Sequence, residues 1–268
     1  MANQNSFSLA GETNRASGLC RLVDVVFPGQ ANHHGTLFGG AALAMMDKFA
    51  FVLASRYLRR TVVTAALTET DFRAPVPVGH LAEVDGRIVK AGRRSVEIEA
   101  ELVAENMLTG ERTSCLSGRF VMVGQEDGAI AEPAGLAQID DDPRVVRVVE
   151  IVFPGQTDHR GILHGGFALD WLGKAALVAA SRRARQSVVM VSSKALNFVA
   201  PARVGDIVEA TASVTSVGRT SLTVSTTMTA ECPQAGQPRL CTRTDFVFVA
   251  VDDAGRPIPI TPESSTCL

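Results

Sequence analysis

The stretch from Asn32 to Asp47 carries the residue types best suited to chemistry. Asn32-His33-His34-Gly35-Thr36-Leu37-Phe38 reads as a polar loop, Gly39-Gly40 as the entry to a helix, and Ala41 to Ala54 as an apolar run too long for an ordinary strand. Paired glycines let a ligand approach the backbone closely, because no Cβ shields the N–H groups. Those N–H groups have no partner inside the helix, and the helix dipole favours negative charge there. Such an end can hold an anion, or a carbonyl oxygen that is becoming one. Asp47 is the one carboxylate in the apolar run, seven residues beyond Gly40. It shares a face with Gly40 but lies roughly 10 Å further along the axis, at about 1.5 Å per residue. A base must sit about 3 Å from the proton it takes, directly or through one water. Asp47 therefore cannot serve a carbonyl held at its own helix start. It can serve one held by an antiparallel partner helix packed at about 8 to 10 Å, so the chemistry asks for a second copy of the unit.

The chain contains such a copy. Val23 to Gly40 aligns without a gap on Val149 to Gly166 at an offset of 126, and Phe-Pro-Gly-Gln at 27 to 30 recurs at 153 to 156. His33 matches His159, Gly35 matches Gly161, Leu37 matches Leu163, and the glycine pairs coincide. Duplication over half a chain implies a pseudo-two-fold dimer within one polypeptide. In each half the pattern predicts a strand, a long apolar helix and four further strands. In the first half the strands are Arg21 to Phe27, Val62 to Phe72, Leu81 to Val89, Ser95 to Ala104 and Thr113 to Val123, the alternation of Val96 to Leu102 being the clearest. The second helix is expected from Phe167 to about Arg183, and the later strands near 188–198, 207–216, 221–230 and 241–251. The fold class is α+β: an antiparallel sheet wrapped around one helix, twice, with domains at 18–124 and 144–255 and a linker at 125–143 rich in Gly, Pro, Asp and Gln.

A length of 268 residues with 46% hydrophobic composition supports two cores. The net charge of −2 gives no basic excess, so nucleic acid is not an expected partner. The apolar helix run, interrupted by Asp47 and Lys48, is too short to span a bilayer, so no membrane is expected either. Cys20, Cys115, Cys232, Cys241 and Cys267 are scattered without metal-ligand spacing, and their odd number suits a reducing cytoplasm. No phosphate-binding glycine loop or dinucleotide fingerprint appears, so neither metal nor cofactor is expected.

Asn32, Gly35, Phe38-Gly39-Gly40 and Asp47, then Gly161 and His164-Gly165-Gly166, form an ordered set repeated at constant offset. With the turns Gly92-Arg93-Arg94-Ser95 and Gly218-Arg219-Thr220-Ser221, this set resembles the hotdog superfamily, and within it the tandem double-hotdog acyl-CoA thioesterases. The resemblance runs from about residue 20 to residue 253. It implies an acyl-CoA substrate whose thioester carbonyl lies at a helix N-terminus, in an oxyanion hole made by a Gly-Gly backbone N–H and an Asn of the preceding loop. An acidic residue on the opposing helix then attacks or activates water. Carried over, Asn32 with Gly39 makes one hole, and Gly165 with Asp158 the other; Asp47 is the first acid, and its counterpart is Gly173. The resemblance also implies further association of the chains, often as trimers.

Asp47 is then expected to face Gly165 within the chain, giving one site, while the site on Gly39 faces Gly173 and lacks its acid. Asp158 complicates that pairing, since an ionised carboxylate opposes a developing oxyanion. It points away, is protonated, is paired with His159, His164 or Arg160, or handles water. Pairing Asp47 of one chain with Asn32 and Gly39 of another chain restores the full set. Structural readings stand beside these. Asn32 and Asp158 can close Asx turns, and His164 can bond to backbone. The glycines can serve helix packing, and Lys48, Arg73 or Arg94 can neutralise Asp47. The Arg-bearing turns suit the phosphates of coenzyme A or are ordinary hairpins. Two functions follow: hydrolysis of a CoA thioester, or a silent acyl-CoA-binding module. A hydratase is disfavoured for want of its acid and histidine pair.

Overall fold

The computed structural model describes residues 21–125, 142 and 144–260. Most of the linker expected at 125–143, both terminal tails, Cys20 and Cys267 lie outside the described residues. The first half runs β1 (Leu22–Val25), α1 (Gly39–Leu58), β2 (Val62–Phe72), β3 (Leu81–Ala91), β4 (Ser95–Glu105) and β5 (Arg112–Gly124). The second runs β6 (Val146–Ile151), α2 (Gly165–Ala184), β7 (Val188–Ser193), β8 (Ile207–Val217), β9 (Ser221–Glu231) and β10 (Pro238–Ala250). Each half is a five-stranded antiparallel sheet, ordered β1-β3-β4-β5-β2 and β6-β8-β9-β10-β7, curled around its helix. β7 is shorter than the expected 188–198 because the chain leaves the ladder after Ser193, although Lys194 and Val199 still donate backbone N–H bonds to Asp245 and Cys241.

Both helices are apolar on nearly every side and so sit inside the sheet curl. Met46, Phe49 and Ala50 are fully buried in α1, as are Leu172, Ala175 and Ala176 in α2. A side chain such as Phe49 contributes about 1.5 to 3 kcal/mol by burial. Met45 and Trp171 are buried beside them, which makes these residues core.

The halves meet through β1 and β6 rather than along their helices. Val149, Ile151 and Ile207 pack into the core around α1, and their counterparts Val23, Val25 and Leu81 pack into the core around α2. Ion pairs cross the same seam reciprocally. Lys48 reaches Glu150 at 2.9 Å, and its counterpart Lys174 reaches Asp24 at 3.6 Å. Arg56 reaches Glu209 and Glu231 at 3.1 and 3.2 Å. Its counterpart Arg182 reaches Glu83 and Glu105, both at 2.6 Å. Each contact has its mirror 126 residues away, which is the mark of an isologous, two-fold interface.

The helix ends explain how those arginines reach across. Arg59 and Arg185 terminate α1 and α2 in the left-handed region, at φ 52° and 50°, where glycine is the usual residue. Each holds this costlier conformation while its guanidinium bonds the other half, Arg59 to Glu231 and Arg185 to Glu105.

Candidate active site

α1 begins directly after Phe38, whose extended backbone turns the chain inward with no side-chain cap. Gly39 and Gly40 supply its first N–H groups. The rings of Phe72 and Phe38 flank them: a Cβ on Gly39 would lie 3.5 Å from Phe72, and one on Gly40 would collide with Phe38. Phe38 and Phe72 are themselves more than half exposed, so the helix start opens to the surface through an aromatic rim. α2 begins in the same way after the exposed His164, with Phe198 beside Gly165.

The loops before the helices are Asx turns in both halves. The Oδ1 of Asn32 accepts the N–H groups of His34 and Thr36, while its Nδ2 donates one hydrogen to the Thr36 hydroxyl at 3.0 Å. The Oδ1 of Asp158 accepts the N–H groups of Arg160 and Ile162, and its Oδ2 takes the Arg160 guanidinium at 3.0 Å. Bonds from the Ile162 N–H, then from Arg160, hold the Asp158 carboxyl down at about 2. Asp158 is thus ionised at neutral pH and has acceptors only. Of the alternatives open for it in the sequence, pairing with Arg160 is the one seen.

Asp47 lies on α1 facing β2, where its Oδ1 accepts the Thr64 hydroxyl at 2.6 Å. Lys48 and Arg73, candidates to neutralise it, bond instead to Glu150 and to Asp71, Ser114 and Ser117. Thr64 escaped the sequence reading. The repeat carries its signal: 126 residues on, Gly173 replaces Asp47 and Met190 replaces Thr64, and the Met190 methyl lies beside Gly173. Acid and hydroxyl are lost together. Asp170, one turn from Gly173, is engaged by Lys174 at 3.4 Å.

The pairing of Asp47 with Gly165 inside one chain is not what the structure brings together. A cavity of about 220 Å³ opens beside Gly165, and its walls, Ile162, Leu163, Phe198, Val199 and Met228 among them, all belong to the second half. The physical reason lies in the seam. The halves are joined at β1 and β6, so α1 and α2 do not lie along one another at the helix-packing distance that the pairing needs.

The two Arg-bearing turns join β3 to β4 and β8 to β9. Each is closed by an N–H bond, from Gly92 to Ser95 and from Gly218 to Ser221, both 2.8 Å. The Gly124 N–H binds the Arg94 carbonyl, and Gly124 packs on Arg60. Gly92-Arg93-Arg94-Ser95 thus stands at the C-terminal end of α1, a 20-residue helix and so about 30 Å from the helix start. The structure does not bring this turn to the hole of its own half.

Comparison with known proteins decides the family. Residues 34–111 and 160–235 each match the thioesterase superfamily. The chain belongs to the thioesterase superfamily. An acyl-CoA hydrolase from Agrobacterium tumefaciens has a similar structure, with a TM-score of 0.81 and 43% identity over 90% of this chain and 97% of that one. The cytosolic acyl coenzyme A thioester hydrolase of Homo sapiens is 22% identical over 91% of this chain and 77% of its own length. The uncharacterized acyl-CoA thioester hydrolase YkhA of Bacillus subtilis (strain 168) is 30% identical over 47% of this chain and 68% of its own length. The duplicated thioesterase domain makes this chain a tandem hotdog protein and a thioester hydrolase.

Proposed function

We propose that this thioesterase hydrolyses acyl-CoA and that Asp47 is the residue that makes water attack. The observation that carries the reading is the Asp47–Thr64 pair at 2.6 Å, set on the surface-facing side of a helix in which Asp47 is the one carboxylate. Thr64 fixes one carboxylate oxygen. The other is left to take a proton from water as that water adds to the thioester carbon. The carbonyl oxygen, becoming negative, rests on a helix-start N–H at Gly39 with Asn32 as a second donor, both supplied by a second copy of the chain, because Asp47 lies roughly 10 Å along α1 from its own helix start. Collapse of the adduct breaks the C–S bond, and the proton taken by Asp47 passes to the leaving thiolate. Water and the protein's own groups suffice as reactants, so no metal or cofactor is assigned. The residues beside the other helix start, Asp158, His164 and Gly165, hold that loop and helix end in shape.

Arg93, Arg94 and Arg219 present guanidinium groups suited to the phosphates of coenzyme A. Gly92 and Gly218 shape their turns, Ser95 and Ser221 close them, and Thr220 completes the second. A homo-oligomer in the cytoplasm fits this reading. No helix of the described residues is long and apolar enough to cross a membrane.

Free-thiol release from a panel of short to long acyl-CoAs tests the proposal. Asp47→Ala is expected to lower kcat by about a hundredfold or more, the usual contribution of a positioned acid or base. Turnover unaffected by the substitution removes Asp47 from the mechanism. Binding of acyl-CoA without turnover by the unaltered protein leaves only a binding module.

A further inference from the structure

Asn32 and Asp158 close the same turn, yet the residue facing each of them across it has changed. Opposite Asn32 stands Thr36, and its counterpart 126 positions on is Ile162. The backbone does not register the difference. Asn32 donates its N–H to the Thr36 carbonyl at 2.8 Å, and Asp158 donates to Ile162 at the same distance. Gly35 and Gly161 return N–H bonds to the carbonyls of Asn32 and Asp158, both 3.0 Å, at φ 71° and 70°. Each loop is tied down by an isolated bridge, Thr36 to Pro77 and Ile162 to Arg203. A β-branched residue without a hydroxyl therefore holds this turn as threonine does, and the fold of the loop leaves the Thr36 hydroxyl unexplained.

That hydroxyl engages the Asn32 side chain. Its Oγ1 lies 3.0 Å from Nδ2, which donates to it, and 3.3 Å from Oδ1. The N–H groups of His34 and Thr36 reach Oδ1 at 2.9 and 3.3 Å and so decide which end of the amide is oxygen. The hydroxyl then fixes the Nδ2 end, and because the amide is planar, fixing one hydrogen fixes the direction of the other. Asp158 has no such need. Both its oxygens are acceptors, Oδ2 takes the Arg160 guanidinium at 3.0 Å, and Ile162 lines the apolar cavity beside Gly165. Amide donor and hydroxyl are present together in the first half and absent together in the second.

We propose that Thr36 is a positioning residue of the oxyanion hole, whose hydroxyl aims the free Nδ2 hydrogen of Asn32 at the place where the carbonyl oxygen becomes negative. This rests on the thioesterase reading above and adds a residue to it. An oxyanion donor is effective because it is already aimed when charge develops. An amide held only at Oδ1 swings about its last side-chain torsion, which is broad for asparagine, and part of the donor's effect is lost. Thr36 takes no proton and acts on the carbonyl only through Asn32.

Thr36→Val removes the hydroxyl at nearly constant shape, and Ile162 shows that the turn accepts such a residue; a thermal melt matching the unaltered protein checks this. With an acyl-CoA substrate, kcat is expected to fall about tenfold with KM unchanged, the size of one net hydrogen bond made to the transition state. Thr36→Ser keeps the hydroxyl and is expected to recover most of the rate. Asn32→Asp removes the donor while keeping the turn, as Asp158 does, and is expected to lower kcat by about a hundredfold or more. On that background Thr36→Val should bring no further loss, because no donor is left to aim. Unchanged kcat in Thr36→Val, a loss carried by KM, no recovery in Thr36→Ser, or an undiminished tenfold loss on the Asn32→Asp background each overturns the inference and leaves the enzyme in place. Full turnover by Asn32→Asp overturns the oxyanion role of Asn32 beneath it, and no turnover by the unaltered protein overturns the thioesterase reading instead.

Discussion

The two halves share one fold at a constant offset and differ where it matters for chemistry. Asp47, Thr64 and Asn32 in the first half become Gly173, Met190 and Asp158 in the second. At the seam between them the correspondence is nearly complete: Lys48 and Lys174, Arg56 and Arg182, Arg59 and Arg185 each cross to carboxylates of the other half. One surface was kept on both copies and the other on one. The seam needs both copies, since each arginine bonds a glutamate on the opposite half. An acid and its hydroxyl work as a unit, so losing one leaves the other without use.

The seam itself is lopsided in one respect, and that gives the largest expected effect on stability. Glu83 is 1% exposed and meets Arg21, Arg112 and Arg182, whereas its counterpart Glu209 is 16% exposed and meets Arg56 and Arg147. Position 238, the counterpart of Arg112, is proline. Removing one partner of a buried pair leaves charge uncompensated and costs about 3 to 5 kcal/mol. Glu83→Ala is therefore expected to fall in that range by chemical denaturation, with Glu209→Ala clearly less; equal costs would show that the third arginine adds nothing. Acid should act in the same place. Burial alone would push the Glu83 carboxyl up, but the Arg112 hydrogen bond and the charges of Arg182 and Arg21 outweigh it and hold the group below its ordinary value of 4.5. A lowered acid stabilises the fold above its unfolded value and ceases to do so as pH falls through the folded one. The seam is expected to weaken below about pH 4.5, which a pH series of melts would read. Asp85, pushed up by burial, works in the opposite sense and blunts the slope.

Thr64 sharpens the comparison at the next scale down. A hydrogen bond to a charged group contributes about 1.5 to 3 kcal/mol, so Thr64→Val is expected to lower kcat by roughly tenfold to a hundredfold. Thr64 acts by positioning Asp47, so Thr64→Ser should recover most of the rate, which a merely space-filling role would not allow. In the second half Met190→Thr is expected to leave turnover unchanged, because Gly173 offers no carboxylate to position.

Much of this was legible in the sequence because repeats and apolar periods are local. β2 from Val62 to Phe72 was read to the residue, and both long helices were recognised from their apolar runs. The duplication foretold a pseudo-two-fold chain. What sequence could not supply was the face on which the halves meet. Asp47 and Gly165 are compatible in type, but their meeting depends on whether β1 with β6, or β2 with β7, forms the seam, and both strand pairs are apolar and β-branched. The signal lay in the charges: Asp24, Glu83 and Glu105 mirror Glu150, Glu209 and Glu231, and matched carboxylates this close to buried strands imply matched arginines opposite. Thr64 was hidden for another reason, since a threonine in a strand is ordinary until its hydroxyl is seen on a carboxylate.

Asp158 carries the smallest expected effect and the cleanest contrast between the halves. Asn32 closes the same turn with the same two backbone bonds, so Asp158→Asn should keep the loop and lose only the Arg160 ion pair, which lies at the surface and contributes little there. Turnover should not change. Its pH signature should. The bond from the Ile162 N–H, followed by those from Arg160, holds the Asp158 carboxyl at about 2, against an ordinary 3.8. Its contribution is present above 3.8 and disappears as pH falls toward 2. The unaltered protein should therefore lose a small increment of stability over that window that the Asp158→Asn variant does not lose. A variant that instead gained turnover would mean that the second helix start does chemistry once its charge is removed, and would return Gly165 to the site from which the seam separates it.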